Sequence, residues 1–196
     1  SNIIKISAGD CHAIMLDADG TVWATGYNKN GELGIGSTSS YYTLPQHVKT
    51  SDGKSIMTGV KDIATGTNHT IILKDDETVW AFGYNGYNQL GDTTNTSRNL
   101  PVQVVDADKN PIKNIKQIVA KGHSSMFLAD DGLYAVGRNE NGQFFSQTNT
   151  NMTRVTKINY DKDIFKIGLT KNYEGAQTGV IVDQDGKVYT VGYNGY

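Results

Sequence analysis

The sequence predicts an all-β fold: a β-propeller built from four-stranded antiparallel blades, here an incomplete arc of about three and a half blades. Three observations carry that expectation. First, a short phrase repeats. Asp19 to Asn28 returns as Asp76 to Asn85, as Asp131 to Asn139 (one residue shorter), and as Asp185 to Asn194. Its closing glycines, Gly26, Gly83, Gly137 and Gly192, lie 57, 54 and 55 residues apart, a period that marks one supersecondary unit copied in tandem. Second, each copy holds short alternating strands bounded by turn residues, with no apolar stripe of helical period. Third, 22 glycines beside 3 prolines fit many tight turns.

Taken in order, a lone strand at 3–7 opens the chain. Gly9-Asp10-Cys11-His12 then precedes the apolar run Ala13-Ile14-Met15-Leu16, as Gly66-Thr67-Asn68-His69 precedes Thr70-Ile71-Ile72-Leu73. Each run enters an Asp-rich turn and a second alternating strand, which together make a β-hairpin. The loops Asn28 to Gly34 and Asn85 to Gly91 follow, then a Ser-, Thr- and Asn-rich stretch ending in a Leu-Pro strand at 44–48 or 100–104. A last strand, 60–64 or 115–119, is expected to close each unit. The chain is therefore a single repeat domain over 1–196, with repeats at approximately 8–64, 65–120, 121–167 and a truncated 168–196. The later copies diverge: His123 stands one place after its glycine, Phe145 takes the position of Gly34 and Gly91, and the fourth copy opens without a histidine.

Eighteen basic and 20 acidic residues give a net charge of -2 with no basic block, so no footprint for nucleic acid is present. No apolar run reaches the length of a membrane span, so membrane insertion is not expected. A single cysteine, Cys11, allows no internal disulfide.

The composite pattern Gly-x-x-His, apolar run, Asp-Gly-x-Val-Trp-x-x-Gly-x-Asn-x-x-Gly-(Gln/Glu)-Leu-Gly resembles the repeat of the regulator of chromosome condensation family. The first two copies carry it almost completely. The resemblance implies a ring of seven blades, so this arc is expected to be a fragment of a longer protein or to self-associate through its open sheet edges. It also implies three kinds of role: nucleotide exchange on a small GTPase, interaction domains within larger proteins, and bacterial propellers that bind and inhibit enzymes. The Asn-, Tyr- and Thr-rich loops and the absence of nuclear basic segments point to a bacterial protein, secreted or at the cell surface.

Most conspicuous residues read as scaffold. Trp23, Trp80, Tyr134 and Tyr189 each stand three places before a closing glycine, where flat rings suit the packing of neighbouring sheets. Tryptophan-based light sensing, known in a plant member of the family, needs a cluster that two equivalent tryptophans do not supply. His12 and His69 lack any paired-ligand spacing and are expected to hydrogen-bond across blade junctions. Gly122-His123-Ser124-Ser125-Met126 lacks the final glycine of a nucleophile elbow. Asp17-x-Asp19-Gly20 and Asp183-x-Asp185-Gly186 read as hairpin turns, because no later carboxylate completes a calcium loop. No catalytic residue, metal ligand or cofactor site is assigned.

Variable residues of a propeller sit in its rim loops. Tyr27, Tyr84, Arg138 and Tyr193 each follow a closing glycine and are expected to form an arc on one surface, with Tyr87 in the next loop and Tyr41 and Tyr42 extending it. Tyrosine and arginine are enriched at protein-binding hot spots. The expected function is thus a non-catalytic protein–protein interaction module whose partner protein binds the rim loops. Guanine-nucleotide exchange on a small GTPase, and a propeller lyase or hydrolase, stay open as alternatives.

Overall fold

Ile71 and Ile72 are neighbours in one strand; both are fully buried, yet they belong to different hydrophobic cores. Successive strand residues face opposite sides of a sheet, so a sheet apolar on both sides must be covered twice. That requirement builds this fold. The computed structural model describes residues 2–172, 175 and 177–195. Ser1 and Tyr196, the ends of the sequence, lie outside them.

Fifteen strands, and no helix among the described residues, form four antiparallel sheets. The first contains β1 (Ile3–Ala8), β2 (His12–Asp17), β3 (Val22–Tyr27) and β4 (Tyr41–His47). The second contains β5 (Val60–Thr65), β6 (His69–Lys74), β7 (Val79–Gly83) and β8 (Arg98–Gln103). The third contains β9 (Ile115–Lys121), β10 (Ser124–Ala129), β11 (Gly132–Gly137) and β12 (Met152–Ile158). The fourth has three strands, β13 (Ile164–Lys171), β14 (Gln177–Asp183) and β15 (Val188–Gly192). Within each sheet the strands follow chain order, and β1, β5, β9 and β13 touch one another in sequence along the inner side. These are blades of an unclosed β-propeller.

One expectation is corrected. The strands at 60–64 and 115–119 do not close the units before them. Ile63 pairs with Ile72 and Ile118 with Phe127, which makes these strands the inner strands of the following sheets. The connection decides it: β9 reaches β10 through only Gly122 and His123, short enough to enforce antiparallel neighbours, whereas eleven residues separate β8 from β9. By the same rule the strand at 3–7 is not alone. It is the inner strand of a complete first sheet.

Three cores fill the three junctions. Leu16, Val22 and Ala24 meet Ile63, Ile72 and Phe82 at the first; Leu73, Val79 and Ala81 meet Ile118 and Phe127 at the second; Met126 and Leu133 meet Ile167 and Ile181 at the third. Trp80 packs against the first core and Tyr134 against the second. Their rings are half-buried, with polar tips held near the hairpin turns: Trp80 Nε1 donates to Thr78 Oγ1 at 3.2 Å and the Tyr134 hydroxyl to Asp131 at 2.8 Å. The Asp17 and Asp183 carboxylates likewise close their turns by accepting backbone N–H groups.

The two terminal sheets show what a junction covers. Ile63, Ile118 and Ile167 are 1%, 4% and 5% exposed, while their equivalent in the first sheet, Ile6, is 67% exposed. On the opposite faces, Val22, Val79 and Leu133 are at most 1% exposed, and Val188 of the fourth sheet is 64% exposed. The arc is thus open at two sheet faces, and β15, the last strand of the three-stranded fourth sheet, pairs on one side alone among the described residues.

Candidate partner-binding site

Each hairpin ends at the rim in the same way. The N–H groups of Tyr27, Tyr84, Arg138 and Tyr193 donate to the carbonyls of Cys11, Asn68, His123 and Gln177 at 2.8, 2.7, 2.9 and 3.0 Å. The preceding glycine makes this possible. Gly26 and Gly83 sit at φ +105° and +104°, and a Cβ there would lie 2.5–2.6 Å from the carbonyl oxygens of Cys11 and Asn68. The four residues therefore occupy equivalent positions at the ends of the four hairpins.

The structure brings three of the expected site residues into one cleft of about 440 Å³. Tyr27, Tyr84 and Tyr87 line it together with Tyr41. Cys11, Asn68 and His123, the residues opposite the post-glycine positions, complete the floor with Asn30. Tyr27 and Tyr41 meet edge-on, with centroids 5.3 Å apart and planes inclined at 72°. Tyr84 and Tyr87 do the same at 6.5 Å and 70°. His123 stacks on Tyr87 at 5.0 Å, and the Arg138 guanidinium lies 5.8 Å from the centre of the same ring. Burial, then the nearby Arg138 and Lys171 charges, holds His123 below its usual pKa and hence neutral near pH 7. Tyr193 does not line this cleft; it stands 39% exposed at the end of the fourth hairpin. Tyr42 also falls outside. It packs on the first core and donates its hydroxyl to Ser37.

Arg138 is paired with Glu140 at 2.6 Å, and Lys171 reaches from the fourth sheet to Asp10 of the first at 2.7 Å and to Thr67 of the second at 2.9 Å. Backbone bonds tie the same turns together: Asp10 N–H to the Thr67 carbonyl, and Thr67 N–H to the Gly122 carbonyl. The inner turns beside the cleft are thus fixed from blade to blade, and the neighbouring charges are neutralised.

A fully buried asparagine organises each loop that carries the rim residues. Asn28, Asn85 and Asn139 accept from the N–H groups of Leu33, Leu90 and Phe144 at 3.0–3.1 Å. Their Nδ2 atoms donate to carbonyls across the loop, such as Ser37, Thr94 and Thr148. The sequence pattern includes these asparagines, but periodicity alone assigns them no role.

The histidines bridge blades, as expected. His12 Nε2 lies 3.1 Å from Thr70 Oγ1, and His69 Nε2 lies 2.9 Å from Ser125 Oγ. Ser125 and Thr70 donate in turn to the Gln89 and Glu32 carbonyls. The Ser125–His69 pair has the spacing of a nucleophile and base, but both residues are fully buried and the hydroxyl proton is committed to Gln89. Among the described residues, no group of three or more His, Cys, Asp or Glu side chains is placed to hold a metal ion.

Cys11, Asn30, Asn68 and His123 are the site residues that sequence reasoning missed, and for all but Asn30 a signal existed. The usable signal was hairpin register: His12 opposes Gly26 and His69 opposes Gly83, so the residue before each faces the tyrosine after each glycine.

Among known families, the model of the Regulator of chromosome condensation (RCC1) repeat matches residues 19–73 and 76–128, and a second model of the same description matches 3–32 and 60–89. The chain is 30% identical over 146 residues to a bifunctional serine/threonine-protein kinase/NEDD4-like E3 ubiquitin-protein ligase of Dictyostelium discoideum, covering 70% of this chain and 8% of that protein. It is 29% identical over 143 residues to the Ultraviolet-B receptor UVR8 of Arabidopsis thaliana, covering 72% of this chain and 30% of the receptor. The chain thus spans under a third of the length of either relative. Yeast RCC1 (Prp20), solved bound to Kap60, superimposes with a TM-score of 0.74 at 24% identity, over 98% of this chain and 44% of that one.

Proposed function

The chain belongs to the Regulator of chromosome condensation (RCC1) repeat family, and on that premise we propose that it is a non-catalytic protein-binding module whose partner docks on the rim cleft. One observation carries the reading. Tyrosines from two blades, Tyr27 and Tyr41 from the first and Tyr84 and Tyr87 from the second, converge on one cleft set on a rigid frame. Large aromatic rings with polar tips give much contact area for little lost side-chain entropy, the make-up of protein-binding hot spots. The neighbour yeast RCC1 was solved bound to another protein, Kap60, which agrees with a binding role for this architecture.

The test is affinity capture by the purified chain and by a Tyr84→Ala/Tyr87→Ala variant, with thermal melts showing both folded. A protein retained by the first and lost by the second supports the rim. Equal retention by both moves the binding surface elsewhere. Stimulated nucleotide release from a captured GTPase would replace this reading with exchange activity.

A further inference from the structure

Resting on the rim-binding reading, we propose that the cleft between the first two blades recognises an extended, proline-rich peptide segment of its partner. The shape of the cleft argues this first. Its walls are two notches, Tyr27 against Tyr41 and Tyr84 against Tyr87, each formed by rings inclined at about 70°. Each edge-on pair is in contact and leaves an open inclined corner beside it, the second backed by His123. Such a corner suits a compact pyrrolidine ring better than a pyranose, which stacks flat on one broad ring face. Two notches side by side suit a polyproline II strand, which presents its apolar rings at regular intervals with three residues per turn.

Polarity argues the same way. None of the cleft-lining side chains carries a charge, because His123 is neutral, and the flanking Arg138 and Lys171 are already paired with Glu140 and Asp10. The cleft therefore presents no unpaired charge to a charged partner segment. The hydroxyls of the cleft tyrosines and the Asn68 amide make no hydrogen bond among the described residues, which leaves them able to donate to a ligand. A proline-rich strand offers the complement: carbonyl acceptors exposed along its length, and no N–H at proline to be left unsatisfied. Such a strand is also pre-ordered, so little entropy is lost on binding.

The experiment titrates the 196-residue chain with deca-proline, with a Gly-Ser decapeptide and with maltohexaose, read by two-dimensional NMR. Deca-proline is expected to saturate and to shift resonances of Tyr27, Tyr41, Tyr84, Tyr87 and Asn68, while the other two probes do not. Tyr27→Ala and Tyr84→Ala should each weaken it by about tenfold or more, with Tyr193→Ala unchanged. Tyr84→Phe, which keeps the ring, should lose only part of the affinity and serves if an alanine variant fails to fold. Saturation by maltohexaose alone, shifts confined to another face, or no saturation at millimolar deca-proline overturns the proposal. Selection from a random peptide library separates the two readings. Proline-free peptides that need Tyr84 and Tyr87, or no selected peptide at all, would sink the proline chemistry and leave the rim to the capture experiment, whereas equal capture by the Tyr84→Ala/Tyr87→Ala variant would sink both.

Discussion

His69 Nε2 lies 2.9 Å from Ser125 Oγ across the junction between the second and third blades, with both side chains fully buried. Because Ser125 donates to the Gln89 carbonyl, it must accept from His69, which places the imidazole proton on Nε2. The histidine thus links two blades and a rim loop. His69→Ala removes the ring and leaves a cavity beside a hydroxyl short of one partner. It should cost about 2–4 kcal/mol in urea unfolding. A cost below about 1 kcal/mol would show that the bridge contributes little.

Stability should fall as pH drops from about 6.5 towards 4. Burial pushes His69 down to about 3, with His123 and His12 adding to the effect, and pushes His12 down to about 4 against the opposing pull of Asp10. A lowered histidine pKa means that the unfolded chain binds protons first. The stabilisation is therefore complete above the unfolded pKa and is lost as pH falls towards the folded one, at up to about 1.4 kcal/mol per pH unit for each residue. Urea midpoints measured between pH 7.5 and 4 test this. A flat profile, or one as steep in a His12→Gln/His69→Gln variant, contradicts it.

Gly66 should not tolerate alanine. A Cβ there would fall on the His69 ring and 2.7 Å from the Gly122 carbonyl oxygen, and backbone cannot step aside as a side-chain tip can. The predicted loss in Gly66→Ala is about 1–3 kcal/mol by thermal or urea unfolding. In Gly186→Ala a Cβ would meet nothing within 4 Å, so any cost comes from its φ of +79° alone and should be smaller. A reversed order would refute the close-packing account.

The hairpins were legible because Asp-rich turns and period-two alternation are local signals, and each pairing, such as Ile14 with Ala24, follows from counting outward from the turn. The assignment of 60–64 and 115–119 to the wrong sheets had a physical cause. Sheet membership depends on connection length, and repeat boundaries do not encode it. The site was half-legible for a similar reason. Tyr27, Tyr84 and Tyr87 are marked by the glycine and loop pattern, but Cys11, Asn68 and His123 share no side-chain chemistry. They are equivalent only through register. Tyr193 stands at a hairpin end equivalent to those of Tyr27 and Tyr84, yet the cleft forms between the first two blades and Tyr193 does not line it.

Asn85→Ala should weaken binding without touching the partner. Asn85 is fully buried, accepts from Leu90 N–H and donates across the loop to the Thr94 and Thr96 carbonyls. Its loss frees the segment that carries Tyr87, so the notch with Tyr84 is no longer held. The variant should lose about 1–3 kcal/mol of stability and most rim binding. Asn85→Asp should rescue neither, because its buried carboxylate would face the Asp92 carboxylate and the Thr94 and Thr96 carbonyls that now accept from Asn85 Nδ2. Hydrogen exchange at Leu90 N–H reads the loop directly, and protection unchanged in Asn85→Ala would exclude this role.

The open faces make the final prediction. At every internal junction the isoleucine of the inner strand is covered, and Val22, Val79 and Leu133 are covered on the other side; Ile6 and Val188 alone in these rows stand in water. Ile6 also continues across the first sheet through Met15 to Trp23, so its exposure belongs to an apolar row and not to one stray side chain. These two faces have the chemistry that covers each other at internal junctions. In solution the 196-residue chain should therefore associate face to face as concentration rises, and Ile6→Lys or Val188→Lys should each return it towards monomer. Light scattering between micromolar and millimolar concentration decides the matter. A monomer throughout, or association untouched by both lysines, would show that these faces are not self-complementary.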